Sequence, residues 1–470
     1  MPVVRSAVCS LLMLGGCTWS SLPPSSALAA DPEAALGAAG YARVVCSAVF
    51  LAGRAPEDAA RTSTAFVVNE AHRSAAHNLH VDRTERTVRV SLGSETGRAR
   101  AIGDQGCVVE RTGSPVPAPS QVVSSLPSGT GIPWPMGDGP DSRPPPPGLN
   151  RQALDAAVAL AFADPQAMTQ AVLVVHNERL VAERYAQGVG PTTLLDSSAM
   201  GKSVLATLLG VLVAEGRLDP EGPAAVPAWR ALGDPRGAIR VLDLMQMSSG
   251  LRCTSPFDEG YQPAQGYTDS QRVYTDAIDA VAFAESRPLA APPGTVGHYA
   301  NCDPLALTGI LRRTVESRGE TVASWAQRNL FDRIGVRRLV VEPDPYGNPL
   351  FIGAVWATAR DWARIGLLYL QDGSWQGHRV LPEGWATRVR ASAPAWKPPD
   401  YGAGFWLDGE HEIPLPPDAF WMLGVGLNTA YVVPSRQLVI VRMGHTLGGR
   451  AYAKVQDQVL KGIVGALGSP

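Results

Sequence analysis

The alternation of hydrophobic and polar positions in the last two-thirds of the chain predicts strands, then helices, then strands again. Four segments have strand composition and form two predicted hairpins: 171–175 with 180–185, and 430–433 with 437–442. A terminal helix is predicted over 452–467. This order predicts an α+β fold, with an antiparallel sheet flanked by helices and a helical insertion at about 220–345.

Two helices of this region have recognisable ends. Residues 202–215 are nearly all apolar, and Gly216 stands at the position of a C-cap. A helix that is apolar on every face is expected to lie buried at the centre of the fold. Thr358 and Asp361 have the spacing of a capping box and open a second, amphipathic helix.

The preceding residues divide into two further units. Residues 31–111 predict a small N-terminal domain, with a strand over Thr87–Leu92 and no recognisable function. Residues 112–148 are rich in proline, serine and glycine, which predicts a linker or a surface-wrapping arm. The main domain is then expected over 149–470.

The first 30 residues have the composition of a secretory signal peptide. Arg5 precedes a short apolar run, and small residues end at Ala29. The run is about half of the roughly 20 residues that a membrane span requires. A second interpretation is a lipoprotein cleavage box that leaves Cys17 as a lipid anchor. Either interpretation predicts a periplasmic or secreted protein.

Charge and cysteine content indicate which binding partners, disulfides and metals can be expected. The chain has 41 basic and 43 acidic side chains, a net charge of -2, and no polybasic run, so nucleic acid is not an expected partner. The four cysteines beyond the leader allow three pairings, of which the domain division favours Cys46 with Cys107 and Cys253 with Cys302. No metal-binding spacing accompanies them, and neither a metal nor a cofactor is expected.

The segment 197–203 is the main candidate for chemistry. Residues three apart on a helix lie on one face, so an S-x-x-K motif places a hydroxyl beside an amine. Counting back three residues from Lys202 gives Ala199 in place of the serine. Ser198 is a weaker substitute, because its side chain would be turned about 100° around the helix.

Segments 197–203, 241–251 and 356–361 resemble the serine β-lactamase and penicillin-binding-protein superfamily, in its class C β-lactamase, esterase and 6-aminohexanoate-dimer hydrolase branch. The resemblance implies that position 199 holds the nucleophile and that Lys202 is catalytic. It also implies that Tyr299, in Tyr299-Ala300-Asn301, is the acid/base tyrosine of a Y-x-N motif. Asn301 is then a candidate for substrate binding.

A glycine-rich segment, 423–428, is the candidate for the strand that faces the nucleophile. It loosely resembles the form found in the nylon-oligomer and esterase branch, and implies that the N–H of Val425, next to Gly424, binds the oxyanion. A glycine-rich edge strand without a role is the alternative. The absence of K-T-G at this place argues against a β-lactam specialist.

Aromatic residues near the predicted sheet leave two interpretations open. Trp406, Phe420 and Trp421 could form the wall of an apolar substrate site or pack in the core.

The resemblance implies a serine hydrolase that cleaves an amide or ester of a small or oligomeric substrate through an acyl-enzyme. The chain as it stands is expected to be inactive, since alanine supplies no nucleophile. We favour a deliberate replacement of serine at Ala199, with a natural non-catalytic binding or sensor protein as the alternative of another class. Within the same fold, a β-lactamase or a D-amino-acid peptidase is the nearest alternative.

Overall fold

The computed structural model describes residues 31–118 and 122–468 of the chain. The predicted signal peptide, its cleavage site at Ala29 and the alternative lipid anchor at Cys17 lie outside these residues.

The N-terminal unit is a four-stranded antiparallel sheet covered by a long helix. The strand order is β1-β2-β3-β4. Its elements are α1 (Pro32–Ala52), α2 (Pro56–Ser63), α3 (Glu70–Ala75), β1 (His77–Asp82), β2 (Thr87–Leu92), β3 (Glu95–Ala101) and β4 (Cys107–Val109). The predicted strand over 87–92 is confirmed.

Helix α1 packs closely on β2 and β3. A Cβ at Gly97 would lie 2.0 Å from the backbone of Ala38, so glycine is required for this approach. By length and composition alone α1 could cross a membrane, yet 78% of its apolar window is buried within the protein. It is therefore the core helix of the N-terminal unit.

The proline-rich segment packs as an arm along the main unit. Its described residues contain no helix or strand beyond an isolated bridge between Pro133 and Gly139. The buried Trp134 donates its indole N–H to the carbonyl of Glu178 at 3.1 Å. The guanidinium of Arg364 donates to carbonyl oxygens of this arm at 2.7 Å, which holds it against the fold.

The main unit is built on a six-stranded antiparallel sheet of order β12-β13-β14-β15-β5-β6. The strands of this sheet are β5 (Thr169–His176), β6 (Arg179–Tyr185), β12 (Trp406–Leu407), β13 (Phe420–Gly424), β14 (Asn428–Val433) and β15 (Leu438–Gly444). Shorter strands are β7 (Leu195–Asp196), β8 (Val340–Val341), β9 (Val355–Ala357), β10 (Ser374–Trp375) and β11 (His378–Arg379). Both predicted hairpins and the α+β architecture are confirmed.

Helices cover both faces of this sheet. They are α4 (Arg151–Leu160), α5 (Gly201–Ala214), α11 (Ala359–Leu370), α12 (Trp385–Arg390), α13 (Gly449–Ala453) and α14 (Gln456–Ala466). Leu173 and Val175 of β5 join the core that contains α5 and α11, whereas Val172 and Val174 join the core with α4 and α14. Successive residues of a strand point to opposite faces of the sheet. A strand that is packed on both faces is therefore apolar at every position.

The insertion between α5 and β8 contains helices, as predicted, and long loops join them. Its helices are α6 (Val241–Met245), α7 (Asp269–Thr275), α8 (Ala280–Glu285), α9 (Cys302–Glu316) and α10 (Val322–Ala326). The predicted capping box of α11 is present, with reciprocal bonds between Thr358 and Asp361.

The prediction of one terminal helix over 452–467 is wrong. The chain forms α13 and α14, which are separated at Lys454 and Val455. Helix α13 packs on residues 165–167, whereas α14 packs along α4, so the chain changes direction between them.

Two disulfides hold the units internally. Cys46 and Cys107 join α1 to β4, and Cys253 and Cys302 join a loop of the insertion to the start of α9. This is the pairing that the domain division favoured.

Candidate active site

A cavity of about 690 Å³ lies between the start of α5, the insertion and the end of β13. All six site residues singled out from the sequence line it: Ala199, Lys202, Tyr299, Asn301, Gly424 and Val425. They come from three segments that are far apart in the chain, and the tertiary structure brings them to one space.

Position 199 lies in a single helical turn, Ser198–Met200, directly before α5. The turn begins with Ser198 in the left-handed region, at φ 48°, and the N–H of Ser198 donates to the carboxylate of Asp196 at 2.9 Å. Ala199 is half-buried and faces the cavity, one helical turn before Lys202. A serine at position 199 would therefore present its hydroxyl to the cavity.

Lys202 is held in an apolar setting. It is only 5% exposed, and its Nζ donates to the carbonyl of Ile352 at 3.0 Å. The same nitrogen lies 4.7 Å from the centre of the Tyr299 ring. Burial lowers the pKa of Lys202 from 10.5 to about 7, so a large fraction of this amine is neutral at neutral pH.

Tyr299 lies among other aromatic rings at the cavity. Its ring centre is 5.0 Å from that of Trp406 and 5.9 Å from that of Tyr401. Burial raises the pKa of Tyr299 well above 10, so the phenol keeps its proton at neutral pH. At neutral pH the amine at 202 is thus partly free to accept a proton, whereas the phenol at 299 still holds one.

Asn301 orders the loop that carries Tyr299. Its side-chain amide donates to the carbonyl of Ser270 at 2.8 Å, and its backbone N–H donates to the hydroxyl of Ser270 at 3.0 Å. Asn301 is 4% exposed and stands at the N-terminus of α9. Although it lines the cavity, its amide N–H is engaged within the protein.

Two residues that line the cavity have backbone N–H groups without an acceptor in the described part of the chain. The N–H groups of Ala199 and Val425 donate to no acceptor among residues 31–118 and 122–468, and both residues line the cavity. Gly424 permits the close approach of their segments, because a Cβ there would lie 2.3 Å from the carbonyl oxygen of Ser197. Unpaired N–H groups facing one space are the requirement for an oxyanion hole.

Asn428 ties these two segments together and was not identified from the sequence. Its side-chain amide donates to the carbonyls of Asp196, at 3.2 Å, and Val425, at 3.1 Å. Its side-chain oxygen accepts the N–H of Gly444 at 2.6 Å. A polar residue that follows a glycine-rich turn was the available signal.

The three aromatic residues that the sequence left open, between the wall of the site and the core, are divided between the two. Trp406 lines the cavity, but Phe420 and Trp421 are buried in the two cores on opposite faces of the sheet. Four aromatic residues of the wall were missed because nothing in their local sequence distinguishes them: Phe66, Phe257, Tyr274 and Trp396.

The sequence and the structure both have relatives. The sequence profile of the family described as Beta-lactamase matches residues 154–462. A 6-aminohexanoate-dimer hydrolase of Paenarthrobacter ureafaciens is 27% identical over 227 residues, which are 47% of this chain and 57% of that protein. The chain thus aligns with little more than half of this relative's length.

Among solved structures, a protein assigned as a 6-aminohexanoate-dimer hydrolase from Bacillus anthracis superposes with a TM-score of 0.53 at 22% identity. The match covers 64% of this chain and 80% of that one. A family VIII carboxylesterase superposes with a TM-score of 0.51 at 15% identity, over 67% of this chain and 98% of that one. At these identities the structures establish the fold alone.

Proposed function

The chain belongs to the beta-lactamase family, and from this premise we propose that its site hydrolyses an amide or ester through an acyl-enzyme when a serine stands at position 199. One observation carries the proposal: the amine of Lys202, the ring of Tyr299 and the free N–H groups of residues 199 and 425 surround the same cavity. With alanine at position 199, the chain binds substrate without turning it over.

The electrostatics of the site support a division of roles. In the protein with serine restored at position 199, the neutral amine of Lys202 takes the proton of the serine hydroxyl as its oxygen attacks the carbonyl carbon. The N–H groups of residues 199 and 425 donate to the oxyanion that forms. Tyr299 then gives its proton to the departing amine or alcohol and regains one from the ammonium of Lys202, so the lysine is neutral again. The acyl group remains on the serine oxygen.

Water completes the reaction. A water molecule gives up a proton to the neutral amine of Lys202 and attacks the acyl carbon. The serine oxygen leaves with that proton, which releases the acid and returns the serine hydroxyl. Each step uses only groups that line the cavity.

The proposed substrate is a small or short oligomeric amide or ester. Both the curated relative and a solved structure are named for the hydrolysis of 6-aminohexanoate dimers, which are linear amides. The segment at Gly424 lacks the K-T-G sequence, so we consider β-lactams a less favoured substrate class than linear amides and esters. Ala199 itself favours one other function, that of a non-catalytic binding protein.

The test is to restore the nucleophile. We expect the Ala199→Ser protein to hydrolyse 4-nitrophenyl acetate at least about 10³-fold faster than the chain with alanine. Mass spectrometry should show one acyl group on the protein during turnover. Comparing the 6-aminohexanoate dimer with a chromogenic cephalosporin then ranks amide against β-lactam substrates.

The matched control is the double variant Ala199→Ser with Lys202→Met, which should lose the gained activity. If the restored serine neither acylates nor accelerates hydrolysis, the catalytic proposal is wrong and the binding function is favoured. Reading the native codon at position 199 separates a replaced serine from a natural alanine.

We also propose that the protein works outside the cytoplasm, in the periplasm or medium. The two disulfides support this, since such bonds persist in oxidising compartments. Fractionation of expressing cells, with a cytoplasmic marker enzyme as the control, tests it.

A further inference from the structure

The cavity has one lining residue that does not come from the main unit. Phe66 lies in the connection between α2 and α3 of the N-terminal unit, whereas the family match begins at residue 154. The N-terminal unit thus contributes a side chain to a site whose other parts belong to the main unit.

Phe66 meets an aromatic side chain of the insertion at the cavity. Its ring stacks on that of Phe257, with centres 6.0 Å apart and planes 25° from parallel. Phe257 in turn meets the edge of Tyr299 at 5.8 Å. A continuous row of rings therefore runs from the N-terminal unit to the proposed acid.

The exposure of this row indicates a binding surface. Phe257 is 61% exposed, one of few large apolar side chains in the described part of the chain with this exposure, and Phe66 is half-buried. Apolar surface left open beside a cavity favours an apolar ligand, because binding removes that surface from water.

The position of Phe66 is fixed by polar contacts between the units. The side-chain amide of Gln271 donates to the carbonyl of Phe66 at 3.2 Å. Nearby, the N–H of Tyr267 donates to Glu33 at 2.9 Å, and its hydroxyl lies 2.9 Å from a ring nitrogen of His72. Phe66 is therefore part of the cavity wall in the folded protein.

We propose that Phe66 is a specificity-determining residue, and that with Phe257 it binds an uncharged apolar group of the substrate. The substrate class is thereby narrowed to amides or esters whose acyl part is apolar and longer than acetyl. This inference rests on the proposed function. Phe66 also borders Ser198 and Val425 in a small adjoining pocket, which places it beside the predicted oxyanion site.

The first experiment measures chain-length preference in the Ala199→Ser protein. The ratio of kcat/KM for 4-nitrophenyl butyrate to that for 4-nitrophenyl acetate should fall roughly tenfold on Phe66→Ala, since a contact of about two methylenes is lost. Phe66→Leu should retain most of the preference. The matched control is Phe50→Ala, which removes a half-buried phenylalanine of the same unit that does not line the cavity.

A second measurement separates the two proposals. The chain with alanine at position 199 is titrated with N-phenylbutyramide, with and without Phe66→Ala, by calorimetry. If restored serine gives no hydrolysis but Phe66→Ala still weakens this binding several-fold, the catalytic proposal fails and the specificity role stands. If hydrolysis occurs and the butyrate-to-acetate ratio changes less than about twofold, or matches that of Phe50→Ala, the role of Phe66 is overturned.

Discussion

At the scale of single residues, burial decides what Lys202 can do. An exposed lysine keeps its proton to about pH 10, and an ammonium cannot accept a proton from a hydroxyl. The apolar surroundings of Lys202 lower its pKa to about 7, and the carbonyl of Ile352 orients the amine without adding a charge. The sequence supplies the lysine, but the packing around it lowers the pKa that the proposed base requires.

The pH dependence of the restored enzyme follows from this pKa. The neutral fraction of the amine, which is able to act as a base, rises with pH and is one half at the pKa. We expect kcat/KM of the Ala199→Ser protein to rise with pH and to level off above a midpoint at about 7. Initial rates of 4-nitrophenyl acetate hydrolysis across this range measure it.

A second variant isolates the lysine. Replacing Lys202 by arginine in the restored protein puts a guanidinium that stays protonated in place of the base, and should lower kcat about 10²-fold or more. If kcat/KM of the Ala199→Ser protein does not change with pH around 7, another group than Lys202 transfers the proton.

At the scale of secondary-structure elements, the turn between β13 and β14 and the turn before α5 form the proposed oxyanion site together. Gly424 allows them to approach, and Asn428 bonds to both. The distance between the N–H groups of residues 199 and 425 depends on how the two turns pack together, so neither turn alone determines it.

Asn428→Ala should therefore disturb catalysis more than binding. In the restored protein we expect kcat to fall by about tenfold or more, with little change in KM, because one N–H group shifts relative to the other. Steady-state kinetics with 4-nitrophenyl acetate measure both constants. Asn329→Ala is the control, since Asn329 also donates from its side chain to a carbonyl but lies far along the chain, on the insertion. Equal effects of the two substitutions would argue against the positioning role.

The capping box of α11 gives a stability prediction for one element. The hydroxyl of Thr358 accepts the N–H of Asp361 at 3.1 Å and caps the helix beneath the sheet. Thr358→Ala should lower the free energy of unfolding by about 1 kcal/mol. Urea unfolding followed by tryptophan fluorescence measures this, and Thr358→Ser should restore most of the loss.

At the scale of the whole molecule, a buried carboxylate joins the N-terminal unit to the main unit. Glu342, 4% exposed, accepts the backbone N–H of Cys107 at 2.8 Å and the hydroxyl of Ser47. Its other oxygen lies 4.0 Å from the guanidinium of Arg43. The N-terminal unit therefore packs on the main unit through a buried polar contact.

Glu342→Ala should loosen this junction. The substitution removes the carboxylate near the buried guanidinium of Arg43 and the acceptor of the Cys107 N–H, which costs about 1–3 kcal/mol in the free energy of unfolding. Glu342→Gln keeps an acceptor and should cost less than Glu342→Ala. Urea unfolding of both variants measures the difference, and an Ala variant as stable as the parent would show that the junction does not contribute to stability.

The sequence by itself determined the local features of this protein. Both hairpins, the buried helix and the capping box at Thr358 depend on the pattern of neighbouring residues. The C-cap of that helix is Glu215, and Gly216, predicted as the cap, follows it in the left-handed region. The one-turn spacing of Ala199 and Lys202 is also local, because the geometry of a helix fixes it. For this reason position 199 could be proposed from the sequence as that of the nucleophile.

Only the tertiary structure decided the features that depend on distant segments. Burial of Lys202, and with it the lowered pKa, comes from residues more than a hundred positions away, such as Ile352. The burial of Phe420 and Trp421 and the arrival of Phe66 in the cavity are likewise set by packing between units. Local sequence carries no record of what will pack against a side chain, so these properties arise only when the chain is folded.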